Sequence, residues 1–256
     1  MSNVAELLLL AESIARETGA LLRDASSREL RISAKSTPTD LVSEADHAAE
    51  HLIRERLAAA RPEDGVLGEE GGDVEGSSGI RWVVDPLDGT INFLFGIPQW
   101  CVSIAAEDAS GTLVGVVYDP SRDELFSAAR GGPATLDGRE ITGSTKADMA
   151  TALVGTGFGY DAEVRRAQAA VVARLLPDVR DIRRFGAAAI DLAWTACGRL
   201  DAYYEHGLNP WDLAAGGLIC ECAGLEVRPL EPVGPSAPGV VVGPSTLVDA
   251  LAPRLA

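Results

Sequence analysis

Cysteine, histidine and aromatic side chains are scarce in this 256-residue chain, and no long apolar run interrupts it. The four cysteines, Cys101, Cys197, Cys220 and Cys222, form no Cys-x-x-Cys pair and have no histidine at zinc-finger spacing. That sets aside a disulfide framework, a zinc ribbon and a dithiol redox centre, and leaves buried free thiols as the expectation. Of the three histidines, His47 and His51 lie four apart on an expected helix, but Ala48-Ala49-Glu50 between them does not have the order of a zinc-protease helix, so both are read as surface residues. Aromatic residues make up 5% of the chain and no basic stripe runs among them, so no stacking platform for nucleic acid is present. The segment Met1 to Glu6 has no basic leader, and the run Leu7 to Leu10 soon meets Glu12, Arg16 and Glu17. Neither a signal peptide nor a membrane span fits, and a cytoplasmic location is expected.

Positive charge is also in short supply. The chain carries 22 lysines and arginines against 38 acids, a net charge of −16, and residues 36–90 hold thirteen acids against four arginines. Such a surface repels the phosphates of nucleic acid or anionic lipid unless a cation intervenes. The acids either form a solvated face, or some of them hold that cation.

The apolar patterning places Leu7, Leu8, Ala11, Ile14, Ala15, Leu21 and Leu22 on one face of an opening helix. A Pro-interrupted loop at 35–40 precedes a second helix from Ser43 or Glu44 to about Ala60. Short apolar runs at 66–68, 81–84, 100–105 and 112–118, punctuated by turn residues such as Asp119-Pro120 and Asp137-Gly138, predict an antiparallel sheet. After a boundary near 144–150 the pattern alternates: strands at 152–156, 181–184, 202–205, 225–229 and 239–243, helices at 162–176, 187–197 and 211–223, and a last helix from Ser245. The expected units are residues 1–146 and 147–256, each mixing helix and sheet. Gly155-Thr156-Gly157-Phe158-Gly159-Tyr160 has its third glycine one position early for a dinucleotide turn and is read as a strand-to-helix loop near the active site.

The most informative stretch is Trp82-Val83-Val84-Asp85-Pro86-Leu87-Asp88-Gly89-Thr90-Ile91-Asn92-Phe93. An apolar strand delivers Asp85 to its end, Pro86 removes an amide donor, and Gly89 lets the backbone approach a ligand. Two aspartates near Pro and Gly make an ordinary turn when they stand alone. Here Glu69-Glu70 closes another short apolar run, so Glu69, Asp85 and Asp88 together are candidates to hold a pair of hard divalent cations such as Mg²⁺. An acid at a helix start, such as Asp212, is by itself a cap.

Four segments, Asp40-Leu41-Val42-Ser43-Glu44-Ala45-Asp46, Gly68-Glu69-Glu70, Asp85 to Phe93 and Trp211-Asp212-Leu213-Ala214-Ala215-Gly216, resemble in order and spacing the inositol monophosphatase family. The resemblance covers nearly the whole chain. It implies a layered α/β/α/β/α fold, Mg²⁺ as cofactor with two or three ions, lithium sensitivity and a homodimer. By the same matching, Glu69, Asp85, the carbonyl of Leu87, Asp88 and Asp212 look like metal ligands. Thr90 and Asp46 look like the pair that orients and deprotonates the attacking water, with Glu69 also acting there.

Gly89 and Thr90, the backbone of Gly186-Ala187-Ala188, and Glu205 look like substrate contacts, together with Asp212. Lys35 resembles a position on the family's mobile lid. The implied activity is hydrolysis of a small phosphorylated alcohol, foremost inositol 1-phosphate, without a covalent phosphoenzyme. Histidinol phosphate, fructose 1,6-bisphosphate, a 3′-phosphonucleotide and NADP remain alternatives. Ala187 stands where many relatives carry a hydroxyl, and Glu205 accepts hydrogen bonds from inositol hydroxyls or a histidinol ammonium alike. A regulatory binding protein linked to RNA machinery is the alternative of another class; the acidity of the chain weighs against direct RNA contact.

Overall fold

The computed structural model of the chain describes residues 4–26, 32–34 and 41–255. The predicted 35–40 loop, with Lys35 and Asp40, lies outside the described residues. Helices α1 (Val4–Ala25) and α2 (Glu44–Ala60) flank a small hairpin of β1 (Ile32–Ala34) and β2 (Leu41–Ser43). The first large sheet follows: β3 (Gly65–Gly68), β4 (Gly72–Val74), β5 (Arg81–Asp88), then after a short helix α3 (Thr90–Leu94), β6 (Cys101–Asp108), β7 (Gly111–Asp119), β8 (Glu124–Ala129), β9 (Ala134–Leu136) and β10 (Arg139–Glu140). The rest of the chain is β11 (Leu153–Thr156), α4 (Ala162–Leu175), β12 (Asp181–Arg183), α5 (Ala188–Ala196), β13 (Ala202–His206), α6 (Pro210–Cys222), β14 (Glu226–Leu230), β15 (Gly239–Gly243) and α7 (Ser245–Leu255).

Three apolar clusters make five layers of these elements. On α1, Leu7, Ala11, Ile14, Ala15 and Leu22 recur at helical spacing and pack with Ile53 and Leu57 of α2 against Trp82, Val84, Val102 and Ile104. Each fully buried leucine or isoleucine here stabilises the fold by about 1.5–3 kcal/mol. Alternate residues of the same strands, among them Val83, Ala105 and Val117, point the other way onto α5 and α6, which also cover Tyr203, Val240 and Val242 of the second sheet. The far face of that second sheet, Val154, Tyr204 and Val241, closes on Val171 of α4 and Leu247 of α7. The order is thus α/β/α/β/α, as the resemblance implied.

The first sheet runs β10-β9-β8-β7-β6-β5-β3-β4, and it departs from the expected antiparallel pattern at one place. β3 and β5 are parallel, because the hairpin partner β4 turns the chain back before β5 is laid down. The second sheet, β12-β11-β13-β15-β14, has β12, β11 and β13 parallel and β15 antiparallel to its neighbours. Among the described residues no helix is long and apolar enough to cross a membrane.

Candidate active site

A cavity of about 390 Å³ opens where the carboxyl ends of the parallel strands of both sheets face each other. Strand ends of this kind are where α/β folds gather ligand-binding loops. Glu69, Asp85, Leu87, Asp88, Gly89, Thr90, Gly186, Ala187, Ala188, Glu205 and Asp212 all line it, so the structure brings together every predicted site residue except Asp46, which lies directly behind Thr90. The loop that follows β11, including Gly157 and Phe158, lines it too.

Local geometry explains the convergence. Gly68 pairs with Val84 in the parallel register, and the amide of Glu69 donates to the carbonyl of Val84 at 3.3 Å, so Glu69 arrives beside Asp85. In a regular strand Asp85 and Asp88 would point to opposite faces. The register slips between them, with Asp85 opposite Ser103 and Asp88 opposite Cys101. This extra residue, at the Pro86 that cannot donate to the ladder, turns both carboxylates into the cavity. Gly89 then takes φ +92°, and a Cβ there would stand 2.8 Å from the carbonyl of Gln99, so glycine is required at the start of α3.

Behind the cavity, Glu50 fixes the Glu69 loop. Its carboxylate is 3% exposed, accepts the amides of Glu70 at 2.7 Å and Gly71 at 2.8 Å, and pairs with Arg54. Asn92 ties the two sheets together by donating from Nδ2 to the carbonyls of Gln99 and Phe185, both at 2.8 Å. Neither role was read from the sequence. The available signal for Glu50 was its place on the Ala45, Ala49 and Ile53 face of α2, where a solvated acid would not belong.

Of the backbone groups at the start of α5 that were expected to contact substrate, the amide of Ala188 is already engaged within the protein. Ala188 donates to Asp88 Oδ1 at 3.2 Å and Ala189 to Asp88 Oδ2 at 2.7 Å. The helix start therefore anchors a carboxylate of the other sheet, which its partial positive charge favours. Asp212 keeps its ordinary capping role, since Oδ2 accepts the amide of Asn209 at 2.7 Å, and also lines the cavity.

Electrostatics single out the same carboxylates. Burial, and then the charges of Glu69, Asp88 and Asp212, push the Asp85 carboxyl well above the usual range; the amide of Leu87, 3.0 Å away, partly offsets this. Burial raises Asp88 to about 6, against the pull of the Ala189 amide, and burial together with Asp88 raises Asp212 well above its ordinary value. Buried carboxylates that repel one another fit a bound cation, which would supply the missing opposite charge. All the donors are oxygens, the set a hard ion such as Mg²⁺ takes. Among the described residues no three carboxylates close into a ready-made cage.

At the other end of the cavity, Glu205 accepts a hydrogen bond from the Tyr203 hydroxyl, and burial lifts its carboxyl to about 7. Asp191 on α5, 1% exposed, lies close enough to Glu205 and Asp88 that burial and their charges raise it well above the usual range. The thiols are all free; Cys101 and Cys220 are buried, whereas Cys197 and Cys222 are only partly so. His47 and His51 face solvent.

Relatives in sequence place the chain among the phosphoric monoester hydrolases. Residues 3–252 match the profile of the inositol monophosphatase family, and the chain belongs to that family. It is 45% identical over 257 residues to the inositol-1-monophosphatase SuhB of Mycobacterium tuberculosis, covering 93% of this chain and 89% of the relative. It is 40% identical over 247 residues to the Nus factor SuhB of Xylella fastidiosa, covering 93% and 90%. Among solved structures, the extragenic suppressor protein suhB from Bartonella henselae aligns with a TM-score of 0.91 at 34% identity, covering 98% of each chain.

Proposed function

We propose that the chain hydrolyses a small phosphomonoester, foremost inositol 1-phosphate, with Mg²⁺ held by Glu69, Asp85, Asp88, Asp212 and the carbonyl of Leu87, and that it works as a lithium-sensitive homodimer. The observation that carries this reading is one cavity lined by Glu69, Asp85, Asp88 and Asp212, backed by the buried Thr90–Asp46 pair. Bound there, Mg²⁺ would supply the positive charge that lowers the pKa of a water and offsets charge on the phosphoryl group.

The chain's own residues do the rest. Thr90 Oγ1 has lone pairs to take a proton from the attacking water while its own proton passes to Asp46 Oδ1, 2.9 Å away. Water attacks phosphorus, the bond from phosphorus to the alcohol oxygen breaks, and the leaving oxygen takes a proton from solvent water, while Asp46 later returns the proton it received to solvent. Glu205 accepts hydrogen bonds from hydroxyls of the alcohol and so orients it. Phosphate release from inositol 1-phosphate, histidinol phosphate, fructose 1,6-bisphosphate, a 3′-phosphonucleotide and NADP, with and without Mg²⁺ and lithium, tests the reading. No release from any of them with Mg²⁺ would overturn it.

A second reading, a binding role in RNA-linked machinery, is supported by the name of the Xylella fastidiosa relative. A shift of labelled RNA that survives moderate salt, with no phosphatase activity, would favour it.

A further inference from the structure

Helix α2 carries two buried carboxylates one turn apart, Asp46 and Glu50, on the side of the helix that Ala45, Ala49 and Ile53 seal into the core. Residues four apart on a helix point the same way, yet these two acids meet different parts of the chain. Asp46 takes the Thr90 hydroxyl at 2.9 Å. Glu50 reaches the turn between β3 and β4, where Oε2 accepts the Glu70 amide at 2.7 Å and Oε1 the Gly71 amide at 2.8 Å. Arg54, a further turn along, donates from Nε to Glu50 Oε1 at 2.6 Å and from Nη2 to the Gly72 carbonyl at 2.7 Å.

The fit beneath this turn is close. An added Cβ at Gly68 or at Gly71 would run into the Glu50 carboxylate and the Arg54 guanidinium. Glu69 is therefore bracketed: the residue before it packs on Glu50, the residue after it is hydrogen-bonded to Glu50, and Glu69 itself lines the cavity. Hydrogen bonds to an ionised group are the shorter and stronger kind, and three of them converge on this one carboxylate.

In the reaction proposed above, the attacking water is handled from two sides, by Thr90 with Asp46 and by Glu69. Both sides are tied to adjacent turns of one helix whose apolar residues are locked in the core. Resting on that reading, we propose that Glu50 is a positioning residue for the reaction: together with Arg54 it holds Glu69 at a set distance from the Thr90 hydroxyl. Helix α2 is then the common frame for cation affinity and for the alignment of the attacking water. Glu50 does not line the cavity and acts through Glu69.

Glu50→Gln keeps the volume and tests the bonds, because whichever way the new amide turns, its NH2 group faces an N–H donor. Two quantities are read: the Mg²⁺ concentration that gives half of the thermal stabilisation by the ion, and kcat for inositol 1-phosphate at saturating Mg²⁺. The expected result is a change of about 10–100-fold for the worse in each, with little change in KM. Arg54→Lys, which keeps the charge and loses the bond to Gly72, should move both in the same direction by less. Gly71→Ala, which crowds Glu50 without altering it, should reproduce the Gln variant. Glu50→Gln combined with Thr90→Val should cost less in kcat than the product of the two single losses, because both act on one water.

A Glu50→Gln protein that melts lower without Mg²⁺ yet keeps the wild-type Mg²⁺ midpoint and kcat makes Glu50 a structural strut, and overturns the inference while the phosphatase reading stands. Losses in the double variant that simply multiply overturn it as well. Where Glu50→Gln does not fold, a wild-type Mg²⁺ midpoint and kcat in Gly71→Ala overturn it. A wild type that hydrolyses none of the esters named above removes the phosphatase reading and the inference together.

Discussion

Thr90 Oγ1 donates to Asp46 Oδ1 at 2.9 Å across 44 positions of sequence, and both residues are buried. The same hydroxyl lies 3.1 Å from the carbonyl of Leu87, so α2, the Asp85–Asp88 bulge and α3 meet at one oxygen. Thr90→Val and Asp46→Asn should each lower kcat by about 10²–10⁴-fold, the usual worth of a positioned general base, with little change in KM. Thr90→Ser should keep most of the activity. Steady-state kinetics beside thermal melts decide the matter, and a wild-type kcat in Thr90→Val would remove the relay.

Asp85 is buried among Glu69, Asp88 and Asp212, each of which raises its carboxyl. Asp85→Asn should abolish turnover and yet raise the melting temperature of the chelator-treated protein, because it relieves a buried like-charge contact at constant volume. Mg²⁺ should raise the melting temperature of the wild type and have a much smaller effect on the variant. A variant that melts below the metal-free wild type would show that Asp85 is held by partners other than a cation.

Glu205 is held at about 7, above the ordinary 4.5, because it is buried. The folded chain therefore keeps a proton there that the unfolded chain releases. The resulting contribution to stability is complete below about pH 4.5 and is lost as the pH rises through 7. Glu205→Gln removes this dependence, since Gln can still accept the Tyr203 hydroxyl. The metal-free variant should match the wild type near pH 5 and exceed it by about 2–3 kcal/mol at pH 8.5 in denaturant titrations. Equal stability at both pH values would mean that the charged form is compensated.

Gly157 leaves room for the Glu205 carboxylate, into which an added Cβ would run. Gly157→Ala should push the carboxylate aside and raise KM for inositol 1-phosphate several-fold, a cost of about 1 kcal/mol. The effect should be smaller for phenyl phosphate, which has no hydroxyl for Glu205 to meet. Equal effects on the two esters would point to a general disturbance of the cavity.

Much of this was legible in the chain itself because it was written in local patterns. The period of α1, the alternating second half and the Asp85 to Phe93 segment each carry their own signal. The short edge strands β4 and β10 did not stand out, since all their residues are exposed and show no alternation. Nor did Glu50, Asn92 or Tyr203, whose roles depend on partners brought near by the parallel β3–β5 pair and the facing sheets.

The layer formed by α5 and α6 lies over the apolar face of the first sheet and also supplies Asp212 and the amides that grip Asp88. On a ribosome the first sheet is complete some seventy residues before α6 begins. Through that interval Val83, Ala105 and Val117 lack their cover, and such a nascent chain is prone to associate with others. The step that ends this exposure is the same step that assembles the cavity, so a prematurely ended chain is both sticky and inert, and catalytic competence certifies that synthesis has run past α6.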